Sequence, residues 1–258
     1  DISLNIGARF DNYTTGFSAL SPRIAMIVNP FNNTTLKFLY GSAFRAPNIY
    51  EMMYEDSPTR SKANPLLKPE YITTLEFVAE HQIGEEIYLV GSLYQSSVSD
   101  IIEQTLLQDS SLQFQNIQCN STTGFEVELN TRFKNGLRTY ISVNYQNAID
   151  TTTNQKLSNS PLILLKFGIA HQISTIGTVA FDFLFETSRQ TVYNTETNSF
   201  LLSNLTVNSV PLFDKLILSA QVRNLLDTEY SYPGGLEHLQ ESIIQNKRTF
   251  LLRATWQF

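Results

Sequence analysis

Features that define several protein classes are scarce or missing in this sequence. Its 258 residues include one cysteine, Cys119, which excludes an internal disulfide and a zinc site built from cysteines alone. The longest apolar run extends only from Pro161 to Leu165, far short of the ~18 residues of a spanning helix. The net charge is −6, whereas nucleic-acid-binding proteins normally carry a basic patch or stripe. Helical membrane proteins and nucleic-acid-binding proteins are therefore disfavoured.

Aromatic residues and strict alternation are abundant instead. The chain contains 17 Phe and 12 Tyr, and only 16% of its residues are charged, against about 25% in typical soluble domains. Apolar residues recur at every second position in most segments. In the last segment they form one face, made of Phe250, Leu252, Ala254, Trp256 and Phe258. A period of two predicts strands with one apolar and one polar face.

About twelve strands are predicted, beginning near residues 2, 21, 34, 71, 86, 112, 137, 161, 177, 199, 215 and 248. Many alternating runs reach the ~9–11 residues that a tilted spanning strand needs. Strands of soluble proteins average about 5–6 residues. The pattern therefore favours an all-β fold, a transmembrane antiparallel β-barrel, over a β-sandwich or a propeller.

Short and long connections alternate along the chain. Tight turns are predicted near residues 30–33, 83–85, 134–136, 174–177 and 213–214, and longer connections at 46–70, 103–115, 150–160, 189–198 and 231–247. Bacterial barrels place short turns on the periplasmic side and long loops outside. This rule places the chain end at Phe258 on the periplasmic side.

The alternation also assigns side chains to the two faces of each strand. We expect the phenylalanines to face lipid, namely Phe38, Phe77, Phe125, Phe181 and Phe183. We expect the acids at the intervening positions to face the lumen, namely Glu76, Glu126 and Asp182. A slip of one residue in register would exchange every face.

Five segments resemble, in order, the signatures of TonB-dependent receptors. Gly41–Pro47 is similar to their FRAP box, and Asn64–Glu70 to their NPxLKPE box. Gly7–Asp11 with Ser21–Arg23 resembles the strand pair that precedes the FRAP box. Val222–Tyr230 resembles the penultimate strand. Arg248–Phe250 leading to Trp256–Phe258 resembles the C-terminal strand. Each match is weak by itself, but five in order make a specific resemblance.

The resemblance implies a plugged barrel of about 22 strands in the outer membrane of a Gram-negative bacterium. Residues 1–258 would form the C-terminal part of that barrel, whereas the N-terminal plug domain, the early strands and the TonB contact would lie upstream. The implied function is active uptake of a scarce nutrient, most often a ferric siderophore, and not catalysis. No cofactor is predicted.

Two other functions remain open. The chain could form a self-contained barrel of about twelve strands that acts as an enzyme, or it could form a passive pore. Upstream sequence discriminates among them, because a plug domain supports the receptor, whereas a signal peptide directly before Asp1 supports the self-contained barrel. Porins lack both boxes and the plug.

Candidate cargo-binding residues lie in the outer loops, since surface loops on a rigid scaffold usually carry binding sites. Aromatic and arginine side chains are common anchors. The predicted set is Arg45, Tyr50, Tyr54, Arg60 and His238. Haem receptors of this family carry a histidine between the two boxes, but residues 48–63 contain none, which disfavours a haem cargo.

Overall fold

The computed structural model describes residues 1–14, 16–56, 60–173, 177–235 and 238–256. The elements in chain order are β1 (Ile2–Asn12), β2 (Ser18–Phe31), β3 (Thr34–Arg45), α1 (Ile49–Met53), β4 (Ser61–Lys62), β5 (Glu70–Ile83), β6 (Ile87–Leu106), β7 (Leu112–Arg132), β8 (Leu137–Asp150), β9 (Gln155–Lys156), β10 (Ile163–Ile173), β11 (Gly177–Glu186), β12 (Phe200–Ser209), β13 (Leu216–Arg223), β14 (Ser231–Pro233), β15 (Ser242–Ile244) and β16 (Thr249–Trp256). No helix among these residues is long and apolar enough to cross a membrane.

Twelve strands in the described part of the chain form one antiparallel meander. Their spatial order is β1-β2-β3-β5-β6-β7-β8-β10-β11-β12-β13-β16. The short strand β4 adds to β7 in parallel, β9 adds to β8, and β14 pairs with β15 separately. The predicted all-β fold and its twelve strands are confirmed, and every predicted start lies within three residues of an observed one.

The prediction of a long loop at residues 103–115 is wrong. Strand β6 continues to Leu106 and β7 begins at Leu112, so that the connection covers only residues 107–111. These two strands have 20 and 21 residues, about twice the ~9–11 that a spanning strand needs. The register of the pair shifts between Val98 and Ile102, which marks a bulge. The hairpin therefore extends well past its neighbours.

The register places apolar side chains in continuous rows across the sheet. Phe38 is opposite Phe77, Phe77 opposite Leu93, Leu93 opposite Phe125, and Phe125 opposite Tyr145. Directly opposed residues share a face of an antiparallel sheet. The predicted phenylalanines accordingly share one face.

The opposite face is polar along the same strands. Glu126 is opposite Ser92 on one side and Asn144 on the other, and Asp182 is opposite Asn204. The apolar face remains open, with Leu252 83% exposed and Ile6 72% exposed. A sheet that leaves its apolar face uncovered requires an apolar surrounding, because burial of that surface is the main driving force of folding.

The two edges of the sheet do not meet in the described residues. Strand β1 pairs there only with β2, and β16 only with β13. A self-contained twelve-strand barrel would require β1 to pair with β16. The described residues show an open sheet instead.

Most connections at one end of the sheet are longer than those at the other. The first end carries the long connections 46–69, 151–162, 187–199 and 224–248 together with the short ones 13–17 and 107–111, and the second end carries 32–33, 84–86, 133–136 and 210–215. Residues 174–176 of the predicted turn at 174–177 are outside the described residues, as is Phe258. We call the end that carries the connection 46–69 the long-connection end.

The buried apolar cluster lies at the long-connection end, where the β3–β5 connection packs on the ends of β6 and β7. It consists of Met52, Leu67 and Ile102, with Phe114 packed against it. Met52 comes from α1, Leu67 from the same connection, and the other two from the extended β6–β7 hairpin. The cluster therefore fixes the β3–β5 connection against that hairpin.

Candidate functional site

An arginine between two carboxylates organises the β3–β5 connection. The Arg45 guanidinium donates from Nε to Glu70 Oε2 at 2.6 Å and from Nη2 to Glu70 Oε1 at 2.7 Å. Its Nη1 donates to both oxygens of Glu51, at 2.8 and 3.0 Å. Paired charge-assisted hydrogen bonds of this kind are among the strongest in proteins. We call Arg45, Glu51 and Glu70 the carboxylate clasp.

Both carboxylates of the clasp are also bound by backbone groups. Glu70 Oε1 accepts a hydrogen bond from the Ile102 N–H at 2.7 Å. Glu51 Oε2 accepts from the Asn48 N–H, and Asn48 Oδ1 accepts from the Glu51 N–H, each at 2.8 Å. This reciprocal arrangement is a capping box, which lets a five-residue helix begin at Ile49. The clasp therefore links β3, α1, β5 and β6.

Side-chain amides hold the rest of the connection on β7. Asn64 Nδ2 donates to the Phe114 carbonyl at 2.8 Å. Asn116 accepts from the Lys68 N–H at 2.8 Å and donates to the Lys68 carbonyl at 2.9 Å. These bonds attach the second sequence box to the hairpin.

The side chains of α1 present an aromatic surface. Tyr50 and Tyr54 stack with ring centroids 4.5 Å apart, and Tyr50 contacts Phe114 edge-on at 5.9 Å. The spacing of four residues brings two side chains onto one helix face. Tyr50 is 55% exposed. An exposed ring pair of this type can stack against an aromatic or planar ligand.

Arg60 follows on the same connection, where it meets the β6–β7 hairpin. Its carbonyl accepts from the Leu112 N–H at 3.0 Å, which starts the pairing of β4 with β7. In the part of the chain that the structure describes, the guanidinium of Arg60 forms no ion pair. The neighbouring Lys62 does, with Asp109 in the β6–β7 connection. The hydrogen bond from the Lys62 ammonium lowers the pKa of Asp109 well below its usual range.

His238 belongs to a different group of loops. Its Nδ1 accepts from the Gly235 N–H at 3.1 Å, and its carbonyl accepts from the Tyr193 hydroxyl at 3.3 Å. Thr195 Oγ1 donates to Glu241 at 2.9 Å and joins the same two connections, 187–199 and 224–248. Arg45 thus ends β3, Tyr50, Tyr54 and Arg60 lie on the connection that follows it, and His238 lies on another connection.

Sequence reasoning missed a second arginine cluster. Arg189 binds Glu186 through Nε and, at 2.8 Å, through Nη2, donates to Asn159 Oδ1 at 2.7 Å, and lies 4.6 Å from the ring centroid of Tyr232. Glu186 is 2% exposed. A buried carboxylate requires such a partner. The spacing of three residues between the opposite charges was the available sequence signal.

The fold defines a class of protein: an antiparallel sheet with an uncovered apolar face, a polar opposite face and its longer connections at one end. The family described as TonB dependent receptor-like, beta-barrel, matches residues 1–225. The chain belongs to this family. Its members and the structural neighbours below are receptors and transporters, not enzymes. No curated protein matches the chain in sequence.

Solved structures confirm the fold. The ferric enterobactin receptor of Pseudomonas aeruginosa superposes with a TM-score of 0.82 and 18% identity, covering 100% of this chain and 43% of its own. The FrpB iron transporter of Neisseria meningitidis superposes with a TM-score of 0.79 and 17% identity, and the match again covers 100% of this chain and 43% of the transporter. The copper transporter OprC gives 0.75 and 20%, covering 94% of this chain and 40% of its own. The chain spans less than half the length of each structure.

Proposed function

We propose that this chain forms part of the barrel wall of a TonB-dependent receptor in a Gram-negative outer membrane, which imports a scarce nutrient. The observation that carries the proposal is the family match over residues 1–225. A ferric siderophore is the proposed cargo. Two structural neighbours, an iron transporter and a ferric enterobactin receptor, support this choice.

The sheet has the properties that a lipid environment demands. Its continuous apolar face, which includes Phe38, Phe77 and Phe125, would contact lipid, and the face with Glu126 would line the lumen. Unpaired edge groups cost several kcal/mol each in hydrocarbon, so open edges do not occur there. Strands β1 and β16 therefore need further barrel strands as partners, which would complete a barrel of about 22 strands.

The long-connection end would face outward and capture the cargo. The Tyr50–Tyr54 pair and Arg60 would contact it directly, whereas Arg45 would hold their connection in place through the clasp. His238 would contribute from the last connection. An upstream plug domain would close the lumen, and TonB would act on the plug to open a path.

Uptake of radioactive iron tests the proposal. The full-length receptor would be produced in a Gram-negative host without its own siderophore receptors, with and without TonB. We expect the receptor in the outer-membrane fraction and iron uptake from a supplied ferric siderophore only when TonB is present. Uptake that is independent of TonB, or a receptor found in another compartment, would contradict the proposed function.

A further inference from the structure

A polar cleft of about 500 Å³ lies at the long-connection end, away from the carboxylate clasp. The ends of β6, β7 and β8 form one wall, and residues 153–158 and 190–194 of the next two connections form the other. A smaller cleft of about 230 Å³ adjoins it and shares Lys156 and Gln190. This position puts the cleft where an outward-facing loop region would meet a small molecule.

Neutral hydrogen-bonding groups dominate the lining. Five side-chain amides contribute, those of Gln118, Asn120, Gln155, Gln190 and Asn194. No aromatic residue is among the described lining residues. An amide offers both donors and an acceptor, so it binds hydroxyl, amide and carbonyl groups without requiring a charge.

The charged groups of the cleft favour a ligand that is not an anion. Glu103 and Asp150 contribute two carboxylates, and Lys156 contributes one ammonium. The formal charges of these three groups sum to −1. Among the described residues, neither Glu103 nor Lys156 forms an ion pair with another side chain. Like charges repel, and this repulsion excludes unsuitable partners.

One acceptor in the cleft has no donor. Asn120 Oδ1 is buried and accepts no hydrogen bond within the described residues. A buried unpaired acceptor is costly, and a ligand that supplies a donor removes that cost. The neighbouring Asp150 carboxylate already accepts hydrogen bonds from Gln118 Nε2 at 3.0 Å and from the Thr152 N–H at 2.7 Å. Asn120 and Glu103 therefore remain as acceptors for a ligand.

We propose that this cleft selects a metal chelate with a net charge of zero or above that presents amide or hydroxyl donors, as hydroxamate chelates do, and rejects polyanionic catecholate chelates. The proposal rests on the proposed siderophore uptake and specifies its substrate class. It differs from the chemistry expected of a ferric enterobactin receptor, whose tricatecholate cargo carries three negative charges. The preference follows from the side chains of this chain and not from its relatives.

Binding of two ferric chelates to the full-length receptor in detergent tests the proposal. The probes are the iron complexes of desferrioxamine B, a cationic trihydroxamate, and of enterobactin. We expect the first to bind at least about tenfold more tightly in titrations at fixed ionic strength. Glu103→Lys changes the cleft charge from −1 to +1 and should reduce this preference at least about tenfold. Glu85→Lys, in the short connection 84–86, makes the same charge change at the other end and should leave the preference intact.

A second variant tests the hydrogen-bonding surface without a charge change. Gln155→Ala removes one amide of β9 and should weaken the trihydroxamate complex several-fold in a correctly assembled receptor. Equal or tighter binding of the enterobactin complex to the unmodified receptor would overturn the inference but leave siderophore uptake standing. The same holds if Glu103→Lys leaves the preference unchanged. An assembled receptor that binds neither complex would overturn the inference, and TonB-dependent uptake of iron from other ferric siderophores would then decide the proposed function.

Discussion

Arg45 organises the β3–β5 connection through its bonds to two carboxylates. Its guanidinium donates four hydrogen bonds, two to Glu51 and two to Glu70. Both carboxylates lie near their strand and helix ends and are mostly shielded from solvent. We therefore propose that the residue acts on cargo through the position of α1. Tyr50, Tyr54 and Arg60 remain the direct contacts that we propose.

Replacement of Arg45 tests this positioning role. In Arg45→Ala, Glu51 and Glu70 lose their shared partner, and charge-assisted bonds are worth about 1.5–3 kcal/mol each before solvent screening. We expect amide hydrogen exchange in residues 46–56 to accelerate about tenfold, equal to ~1.4 kcal/mol, with no loss of barrel assembly. Arg60→Ala is the matched control and should not change this exchange. Unaltered exchange in Arg45→Ala would show that the clasp does not hold α1.

The direct contacts are tested by the triple variant Tyr50→Ala, Tyr54→Ala and Arg60→Ala. Loss of the stacked rings and the guanidinium should weaken cargo binding at least about tenfold, or ~1.4 kcal/mol, in a titration of the full-length receptor. Barrel assembly should be intact, since these side chains lie outside the sheet. Phe213→Ala removes an exposed aromatic at the short-connection end and should have no effect. Unchanged affinity in the triple variant would shift attention to His238 and its connection.

At the scale of elements, two tyrosines pack over glycines of neighbouring strands. Tyr140 of β8 is opposite Gly168 of β10, and Tyr94 of β6 is opposite Gly124 of β7. A Cβ at either glycine would overlap the tyrosine ring beside it. Both pairs lie on the polar face, where the rings cover backbone that would otherwise face the lumen. Tyr140 also donates to Asp182 at 3.3 Å.

Gly168→Ala tests this packing. The added methyl must displace the Tyr140 ring, and overpacking typically costs about 1–3 kcal/mol. We expect the free energy of unfolding in detergent micelles to fall by an amount in that range. In the background of Tyr140→Ala the same substitution should cost much less, because no ring is present to be displaced. Equal costs in both backgrounds would show that the two residues are not coupled.

At the scale of the whole molecule, the open sheet is the decisive feature. An exposed apolar surface as large as this face, which includes Leu252, is unstable in water. The open edges at β1 and β16 cannot be stable in lipid. Both problems disappear when further strands complete a closed barrel in a membrane.

Engineered cysteines in the full-length receptor test this arrangement. In a Cys119→Ser background, Ser219→Cys with Arg253→Cys joins opposed residues of β13 and β16 and should form a disulfide. Opposed Cα atoms are about 4.5–5.5 Å apart, within disulfide range. Arg253→Cys combined with Asn5→Cys, Gly7→Cys or Arg9→Cys should not crosslink. A disulfide between β16 and β1 would mean that these twelve strands close on themselves.

The sequence alone predicted most of the fold, because side-chain direction in a strand alternates with a period of two in every context. Phe38 and Phe77 could be assigned to one face, and Glu126 to the other, before any pairing was known. The five ordered motifs predicted the family because each is a short run of residues that can be recognised before any strand pairing is known. The loop at 103–115 was predicted wrongly because polar residues such as Gln104 and Gln113 continue the two strands without the alternation of apolar and polar side chains on which the prediction depended.

The tertiary structure alone decided which residues meet. Glu70 binds Arg45 because the register of β3 and β5 makes them opposite across 25 positions of chain. His238 and Tyr50 belong to connections separated by several strands, so they form two groups and not one. The polar cleft combines side chains from β6 to the β11–β12 connection. Such contacts depend on pairing between distant segments, and a periodic pattern fixes which face a residue occupies but not its neighbour on the next strand.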